Sequence, residues 1–161
     1  MKLSRIFPIL CLLLATACSD VDDDRIPLYN VNIDLTSPGY WDIYGVHGLS
    51  EYRYFIKSSS QPANFYYTAL SATGFGGVLL VTDINNIPLA YDLACPVEVS
   101  QTTRVKFNSE TLLAECPKCK SQFNVCEYNG SPVSGTAYEM KYALRRYRVV
   151  QSSSSGYTIL P

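Results

Sequence analysis

Short stretches of β-forming residues, separated at close intervals by turn residues, constrain the fold of this 161-residue chain more than any other feature. Residues 31–35 (VNIDL) and 52–56 (YRYFI) alternate with a period of two, and residues 77–81 (GVLLV) form an apolar run. These patterns are typical of half-buried and fully buried β-strands. Residues 142–150 and 157–160 are expected to form two closing strands. The sequence therefore predicts an all-β sandwich or barrel.

Turn-forming residues divide these strands. Gly, Pro, Asn and Ser are concentrated at 37–39, 58–62, 85–88, 129–132 and 134–135. Asn129-Gly130 favours a hairpin turn, because both residues tolerate positive φ. Residues 63–71 hint at a helix, although their apolar positions are poorly spaced for one helical face. The glycine-rich segment 74–77 precedes a strand and not a helix, so it is interpreted as a turn and not as a phosphate loop.

The start of the chain has the features of an export signal. Lys2 and Arg5 are positive, and the apolar stretch 6–17 is too short for a membrane-spanning helix. Small residues followed by Cys18 resemble the lipobox of bacterial lipoproteins. We therefore expect residues 1–17 to be a signal peptide and Cys18 to carry acyl chains that anchor the mature chain in a membrane. The alternative is an ordinary secretory signal in which Cys18 is incidental.

An acidic segment follows Cys18. Residues 19–24 (SDVDDD) offer little apolar surface to bury, so residues 18–25 are predicted to be a solvated tether. The run resembles the acidic signal of lipoproteins of the Bacteroidetes, which implies an outer-membrane location on the periplasmic or the cell-surface face. Residues 26–161 then form one domain. The formal net charge of −1 argues against a nucleic-acid partner, so the lipid membrane, through Cys18, is the partner that the sequence indicates.

Four of the six cysteines are expected to lie in the folded part of the chain. Of six cysteines, Cys11 belongs to the signal and Cys18 to the lipid anchor. The remaining four are Cys95, Cys116, Cys119 and Cys126. Cys95 is followed by proline, and Cys116 begins a Cys-Pro-Lys-Cys segment, so two proline-stiffened loops each present thiols. Two such loops can grip a metal from opposite sides.

Residues 76–150 resemble the Rieske domain. That family has a Cys-Pro-His segment, then a Cys-x-x-His-Gly-Ser-x-Phe segment, then a Ser-Gly-Pro-Ala turn. This chain has residues 94–97 (ACPV), residues 116–124 (CPKCKSQFN) and residues 132–137 (PVSGTA) in the same order. The resemblance implies an antiparallel β-sandwich or barrel with a small two-loop subdomain at about residues 90–130, and a [2Fe–2S] cluster on the loops.

Both family histidines are missing. Val97 and Cys119 stand in their places, and the single histidine of the chain is His47, far ahead of the first loop. A cluster with two cysteine and two histidine ligands therefore cannot be assembled within one chain. His47 also lacks an accompanying nucleophile motif, so a solvent-exposed loop histidine is the favoured interpretation.

The resemblance assigns a role to each thiol. Cys95 and Cys116 occupy the positions of the family's cysteine ligands, Cys119 is a thiol in a histidine position, and Cys126 is a candidate fourth ligand if its strand curls back. Ser121 occupies the position whose hydroxyl donates to a cluster sulfur in the family, although serine is also an ordinary turn residue.

Three chemistries compete for these thiols. The first is a metal, either zinc or an all-cysteine [2Fe–2S] centre of lower potential than a Rieske centre. The second is a disulfide between the loops, which the oxidising space outside the inner membrane favours. The third, less favoured, is free buried thiols. The spacing of the cysteines supports a metal, and the oxidising compartment supports a disulfide. The sequence therefore does not decide whether the cofactor is zinc, [2Fe–2S] or none.

Two functions follow from these chemistries. The favoured one is a non-catalytic, membrane-anchored lipoprotein whose loops are held by a disulfide or by zinc, because both histidines are lost. The alternative is an electron-transfer protein with an all-cysteine [2Fe–2S] centre. An enzyme with its own active site is the least favoured function, since the sequence names no acid–base pair or nucleophile.

Overall fold

The computed structural model describes residues 21–152 and 156–161, so Cys11, Cys18 and the expected signal peptide lie outside the described residues. Within those ranges the strands are β1 (Val31–Leu35), β2 (Tyr52–Phe55), β3 (Ala72–Thr73), β4 (Val78–Thr82), β5 (Pro88–Asp92), β6 (Lys106–Asn108), β7 (Leu113–Glu115), β8 (Gln122–Asn124), β9 (Ser131–Ser134), β10 (Arg146–Gln151) and β11 (Tyr157–Leu160). Two short helices, α1 (Tyr40–Tyr44) and α2 (Thr136–Met140), and a 3₁₀ turn at Lys57–Ser59 complete the described elements. The all-β prediction is confirmed. None of the described helices is long and apolar enough to cross a bilayer.

A seven-stranded antiparallel sheet forms the body of the molecule. Its strand order is β2-β4-β5-β10-β11-β1-β3, and it curls into a barrel-like shape. The β4–β5 hairpin is closed by a turn in which the Asp83 N–H donates to the Ile87 carbonyl and Asn86 adopts a φ of 61°. This turn overlaps the turn predicted at 85–88. Tyr91 of β5 pairs with Arg146 of β10 and so joins the two halves of the sheet.

The sheet buries both of its faces, which explains why β4 is apolar at successive positions. Leu79 and Val81 pack into one core, whereas Val78 and Leu80 pack into a second core on the other face. Successive side chains on a strand point to opposite faces, so a strand covered on both sides is apolar at successive positions, as Val78 to Val81 are. The first core contains Cys95, Cys116 and Cys126, and the partly buried Cys119 packs against it.

A second, four-stranded antiparallel sheet covers the first core. Its order is β6-β7-β8-β9, and it contributes Phe107, Ala114 and Phe123 to that core. Two loops flank this sheet. The first loop, residues 93–105, joins β5 to β6, and the second loop, residues 116–121, joins β7 to β8. These are the two loops that carry the cysteine motifs.

Two segments differ in detail from the sequence prediction, and one predicted turn is confirmed. Residues 63–71 form no helix, because Phe65 is anchored in the second core while Tyr66 and Leu70 remain exposed. Pro132 lies inside β9 and not in a turn, which is tolerated because β9 is an edge strand that needs no N–H on its open side. Asn129 and Gly130 both adopt positive φ as expected, at 53° and 77°.

The N-terminal segment is also more ordered than a solvated tether. The side chains of residues 22–25 are exposed, as expected, but the Asp22 N–H donates to the Lys141 carbonyl, and the Ala143 N–H donates to the Asp22 carbonyl. Asp24 forms an ion pair with Arg145 at 2.7 Å. These contacts occupy residues 142–145, so β10 begins at Arg146 and not at Tyr142. The chain therefore joins the folded body at Asp22.

Candidate metal centre

The first loop presents Cys95 from a closed turn. The Cys95 N–H donates to the Thr103 carbonyl at 3.0 Å, and the Val99 N–H donates to the Cys95 carbonyl at 2.9 Å. An isolated antiparallel bridge between Ala94 and Arg104 closes the base of the loop. Cys95 is fully buried as a result, and Pro96 restricts the backbone directly after it.

A buried carboxylate fixes the entry to this loop. Asp92 is fully buried, and its oxygens accept hydrogen bonds from the N–H groups of Phe75 at 2.8 Å, Gly76 at 3.0 Å and Ala94 at 2.7 Å. The Tyr147 hydroxyl donates a fourth at 2.6 Å. Burial raises the pKa of Asp92, and these four hydrogen bonds oppose that rise. The carboxylate thus ties the 74–77 turn and β10 to the residue that precedes Cys95.

Gly76 is required by this close approach. A Cβ at this position would lie 2.6 Å from the Ala94 nitrogen and 2.8 Å from a carboxylate oxygen of Asp92. The Gly76 carbonyl also accepts a hydrogen bond from the Arg104 side chain, at the base of the first loop. The glycine-rich segment is therefore a turn, as interpreted from the sequence, and it belongs to the framework of the first loop.

The second loop presents Cys116 and Cys119 from a tight turn between β7 and β8. The Cys116 N–H donates to the Ser121 carbonyl at 3.0 Å, and the Lys120 N–H donates to the Cys116 carbonyl at 3.1 Å. Lys120 adopts a φ of 60°, which reverses the chain. This local geometry brings both thiols of the Cys-x-x-Cys segment to one side. Cys116 is fully buried, whereas Cys119 is half-buried at the surface of the loop.

The two loops bring three thiols together. The Sγ atoms of Cys95, Cys116 and Cys119 all lie within 4.8 Å of one another. The Cys95 and Cys119 sulfurs are 3.6 Å apart, a contact distance and not the bond of about 2.05 Å that a disulfide requires. The four described cysteines are therefore free thiols in the structure.

Cys126, the candidate fourth ligand, does not join this group. It is buried in the same core, but the Cys126 N–H donates to the Asn124 side chain in a local turn after β8. Burial, together with the charges of Glu127 and Asp83, raises the pKa of Cys126 to about 11. These neighbours lie toward the β4–β5 turn and the loop after β8, and not in the two thiol loops. The strand does not curl back toward Cys95.

Ser121 supports the half-buried thiol. Its Oγ lies 3.3 Å from the Cys119 Sγ and accepts a hydrogen bond from the Ala137 N–H at 3.0 Å. Because that oxygen already accepts from Ala137, its own hydrogen is free to be donated to a Cys119 thiolate. Gly135 makes the approach possible, since a Cβ there would lie 2.9 Å from the Ser121 Oγ.

The surroundings of Cys119 and Cys95 shift the pKa values of these two thiols in opposite directions. Burial raises the pKa of Cys119, but hydrogen bonds from Ser121, Cys116 and Cys95 outweigh it and hold the value below the ordinary one. Burial raises the pKa of Cys95 well above its ordinary value. Of Cys95 and Cys119, Cys119 therefore ionises more readily, and it is also the more accessible of the two.

An ion pair links the two loops beside the thiols. Lys118 of the second loop contacts the Glu98 carboxylate of the first loop. The pair with Glu98, and then the neighbouring Cys116 and Cys119, raise the pKa of Lys118. A Lys–Glu ion pair with its ammonium group near Cys116 and Cys119 thus lies beside the thiol group.

Two residues singled out by the sequence lie away from the thiol group. His47 is exposed, its ring lies 6.1 Å from that of Trp41, and its N–H donates to Glu51. Val97 packs as a partly buried apolar residue against the first core. The roles of Asp92 and of the Lys118–Glu98 pair were missed. A charged residue within the apolar segment 88–97 was an available signal for Asp92, whereas nothing in the sequence pairs Lys118 with Glu98.

Tyr147→Phe tests the buried carboxylate. Removing the hydroxyl deletes one hydrogen bond to a charged group, which we expect to lower the free energy of unfolding by about 1.5–3 kcal/mol. Urea denaturation measures the change. Tyr128→Phe is the matched control, because Tyr128 is 63% exposed, and its effect should stay within about 0.5 kcal/mol. Equal losses in the two variants would contradict the role given to Asp92.

Alkylation tests the order of the thiols. In reduced, metal-free protein at pH 7, iodoacetamide should modify Cys119 first, because a lowered pKa gives it the larger thiolate fraction. Cys126, whose pKa is raised to about 11, should react slowly until the chain unfolds. Peptide mass mapping over time measures both rates. Faster modification of Cys126 than of Cys119 would refute this assignment.

Comparisons with protein-family models, with curated proteins and with solved structures give no significant match. The likeness to the Rieske domain therefore remains a prediction that rests on the motifs in the sequence. The chemistry of the site has to be inferred from the geometry of its own residues.

Proposed function

We propose that this chain is a non-catalytic, membrane-anchored lipoprotein domain in which Cys95, Cys116 and Cys119 hold a single zinc ion between the two loops. The observation that carries the proposal is the convergence of three thiols from two loops that are far apart in sequence. The ion would fasten the small sheet to the β5 end of the large sheet. Zinc with thiolate ligands is redox-silent, so the ion would carry no electrons and would serve to hold the two loops together.

The spacing of the sulfurs supports a single ion. With Zn–S bonds of about 2.3 Å and tetrahedral angles, two sulfur ligands lie about 3.8 Å apart. The 3.6 Å between Cys95 and Cys119 is close to that value. In a two-iron cluster, by contrast, ligands on different irons are separated by the whole cluster core, and the mutual limit of 4.8 Å among all three sulfurs leaves no such gap.

The surroundings also suit a metal–thiolate group. Three thiolates and one Zn²⁺ carry a net charge of −1, and the ammonium group of the Lys118–Glu98 pair lies near two of the three thiols. The Ser121 hydroxyl supplies a donor to Cys119, as outer-shell groups commonly do for metal ligands. The three thiols would supply three ligands, and a water reaching the group beside the half-buried Cys119 would supply the fourth.

A disulfide between Cys95 and Cys119 is the second candidate. Their sulfurs are already in contact at 3.6 Å, and closing this loop would stabilise the fold by about 3 kcal/mol in the chain-entropy model. The oxidising space outside the inner membrane favours such a bond. It would, however, leave the buried Cys116 thiol without a role. Zinc uses all three thiols, so we place it first.

The location is part of the proposal. Lipid on Cys18 would hold the domain on the outer membrane, at its periplasmic or cell-surface face. Cys18 lies outside the described residues, so the support comes from the lipobox-like sequence and from the acidic run that follows it.

Metal analysis of cysteine variants tests the proposal. The full chain, purified without chelators and under argon, should contain about one zinc per molecule by elemental analysis. Cys95→Ser, Cys116→Ser and Cys119→Ser should each lose most of it, because a single thiolate out of three is removed. Cys126→Ala is the matched control and should retain the metal, since this buried thiol lies outside the group.

Other results would support a different chemistry at the thiols or contradict the three-thiol site. Brown protein with iron and visible absorption would support the electron-transfer alternative instead. Metal-free protein with a Cys95–Cys119 crosslink in peptide mapping would support the disulfide. Loss of zinc in Cys126→Ala, with the fold retained by circular dichroism, would contradict the three-thiol site.

A further inference from the structure

An exposed apolar patch surrounds the point at which the N-terminal segment enters the fold. Tyr138 is 62% exposed, Met140 52% and Val21 40%. Val21, Tyr138 and Lys141 line one shallow cleft of about 400 Å³ between the N-terminal segment, the β9 edge and α2, with buried Pro132 at its floor. We call Val21, Tyr138, Met140 and Lys141 the tether patch.

The start of the described chain fixes the position of this patch relative to Cys18. Asp22 is held by hydrogen bonds to Lys141 and Ala143, so Val21 cannot move away from the domain. Two residues lie between Cys18 and Val21, so an extended chain separates their Cα atoms by at most about 10 Å. The surface around Val21 is therefore the part of the described domain that lies next to Cys18 along the chain.

We propose that the tether patch is a lipid-contacting surface that rests on the head-group region of the membrane. This inference depends on the lipid anchor at Cys18 that forms part of the proposed function. The occupant is a bilayer and not a second protein, because acyl chains on Cys18 would bring the membrane, and no other partner, to within reach of Val21.

The chemistry of the tether patch fits the membrane interface. Tyrosine places an apolar ring and a polar hydroxyl at the level of the head groups, and methionine and valine contribute apolar contact below it. Lys141 can extend its amine toward phosphate while its stem covers apolar surface. Exposed Asp22, Asp23 and Glu139 lie beside the tether patch, so the surface suits zwitterionic lipid better than anionic lipid.

This orientation has a consequence for the thiol group. Helix α2 begins next to Ala137, whose N–H donates to Ser121 beside Cys119, and Tyr138 is the next residue. A domain resting on Tyr138 and Met140 would therefore carry the second loop close to the membrane surface. The loop that carries Tyr66 packs through Phe65 into the second core, whereas Ala137 packs into the first core on the other face of the large sheet, so Tyr66 would face away from the lipid.

Fluorescence quenching by lipid tests the proposal. The full chain is exported and lipidated in a bacterial host, then reconstituted into phosphatidylcholine vesicles that contain lipids brominated near the top of the acyl chains. Tyr138→Trp adds a reporter in the tether patch, and Tyr66→Trp adds one at a side chain that is 72% exposed in the loop beside β1. The native Trp41 in α1 gives the background for both variants.

The expected result is a clear difference between the two reporters. The emission added at position 138 should fall by roughly half or more, because the ring would lie at the head-group and acyl boundary. The emission added at position 66, and that of Trp41, should be almost unchanged. Replacing part of the phosphatidylcholine with anionic lipid should weaken the quenching at position 138.

The mass of the Cys18 peptide from the same sample separates the two ways to fail. A lipidated chain with equal quenching, or none, at both positions would overturn the tether patch while leaving the anchor in place. A chain without lipid on Cys18 would overturn the anchor and the tether patch together. A lipidated chain with quenching confined to position 138 supports both.

Discussion

The buried carboxylate of Asp92 is the interaction on which the arrangement of the thiols depends. Its oxygens accept four hydrogen bonds, which come from the 74–77 turn, from β10 and from Ala94. A buried charged group is stable only when its hydrogen bonds are satisfied, so these partners cannot move independently. Cys95 follows three residues after Asp92, and the direction in which β5 leaves the sheet is therefore set before the first thiol is reached.

The position of the thiol group between the core and the solvent determines what chemistry it can support. Cys95 and Cys116 are fully buried members of the first core, whereas Cys119 faces outward beside Lys118 and Ser121. A metal ion held there would have an apolar wall on one side and polar groups on the other. Such a wall limits solvent access, while the donors hold the ligands in place. The metal ion would stabilise the small sheet, because the short strands β6 to β9 make too few contacts to hold it in place alone.

The fold class and the grouping of three of the four thiols could be predicted from local patterns in the sequence. Period-two alternation and turn residues identify strands without long-range information, and a Cys-x-x-Cys segment brings its own two thiols together. Cys126 was not predictable, because its direction depends on a local turn closed by the Asn124 side chain. The role of Asp92 depends on donors that are up to 55 residues away in sequence, and no local pattern encodes such partners. The helix suggested at 63–71 failed because Phe65 is anchored in the second core.

X-ray absorption at the zinc edge, on the full chain purified without chelators, tests the central claim most directly. A zinc ion held by the three thiols should show a first shell of three sulfur atoms at about 2.3 Å and one oxygen at about 2.0–2.2 Å. A shell of four sulfur atoms would contradict the exclusion of Cys126. A sample that contains iron in place of zinc, or no metal at all, would contradict the zinc site itself.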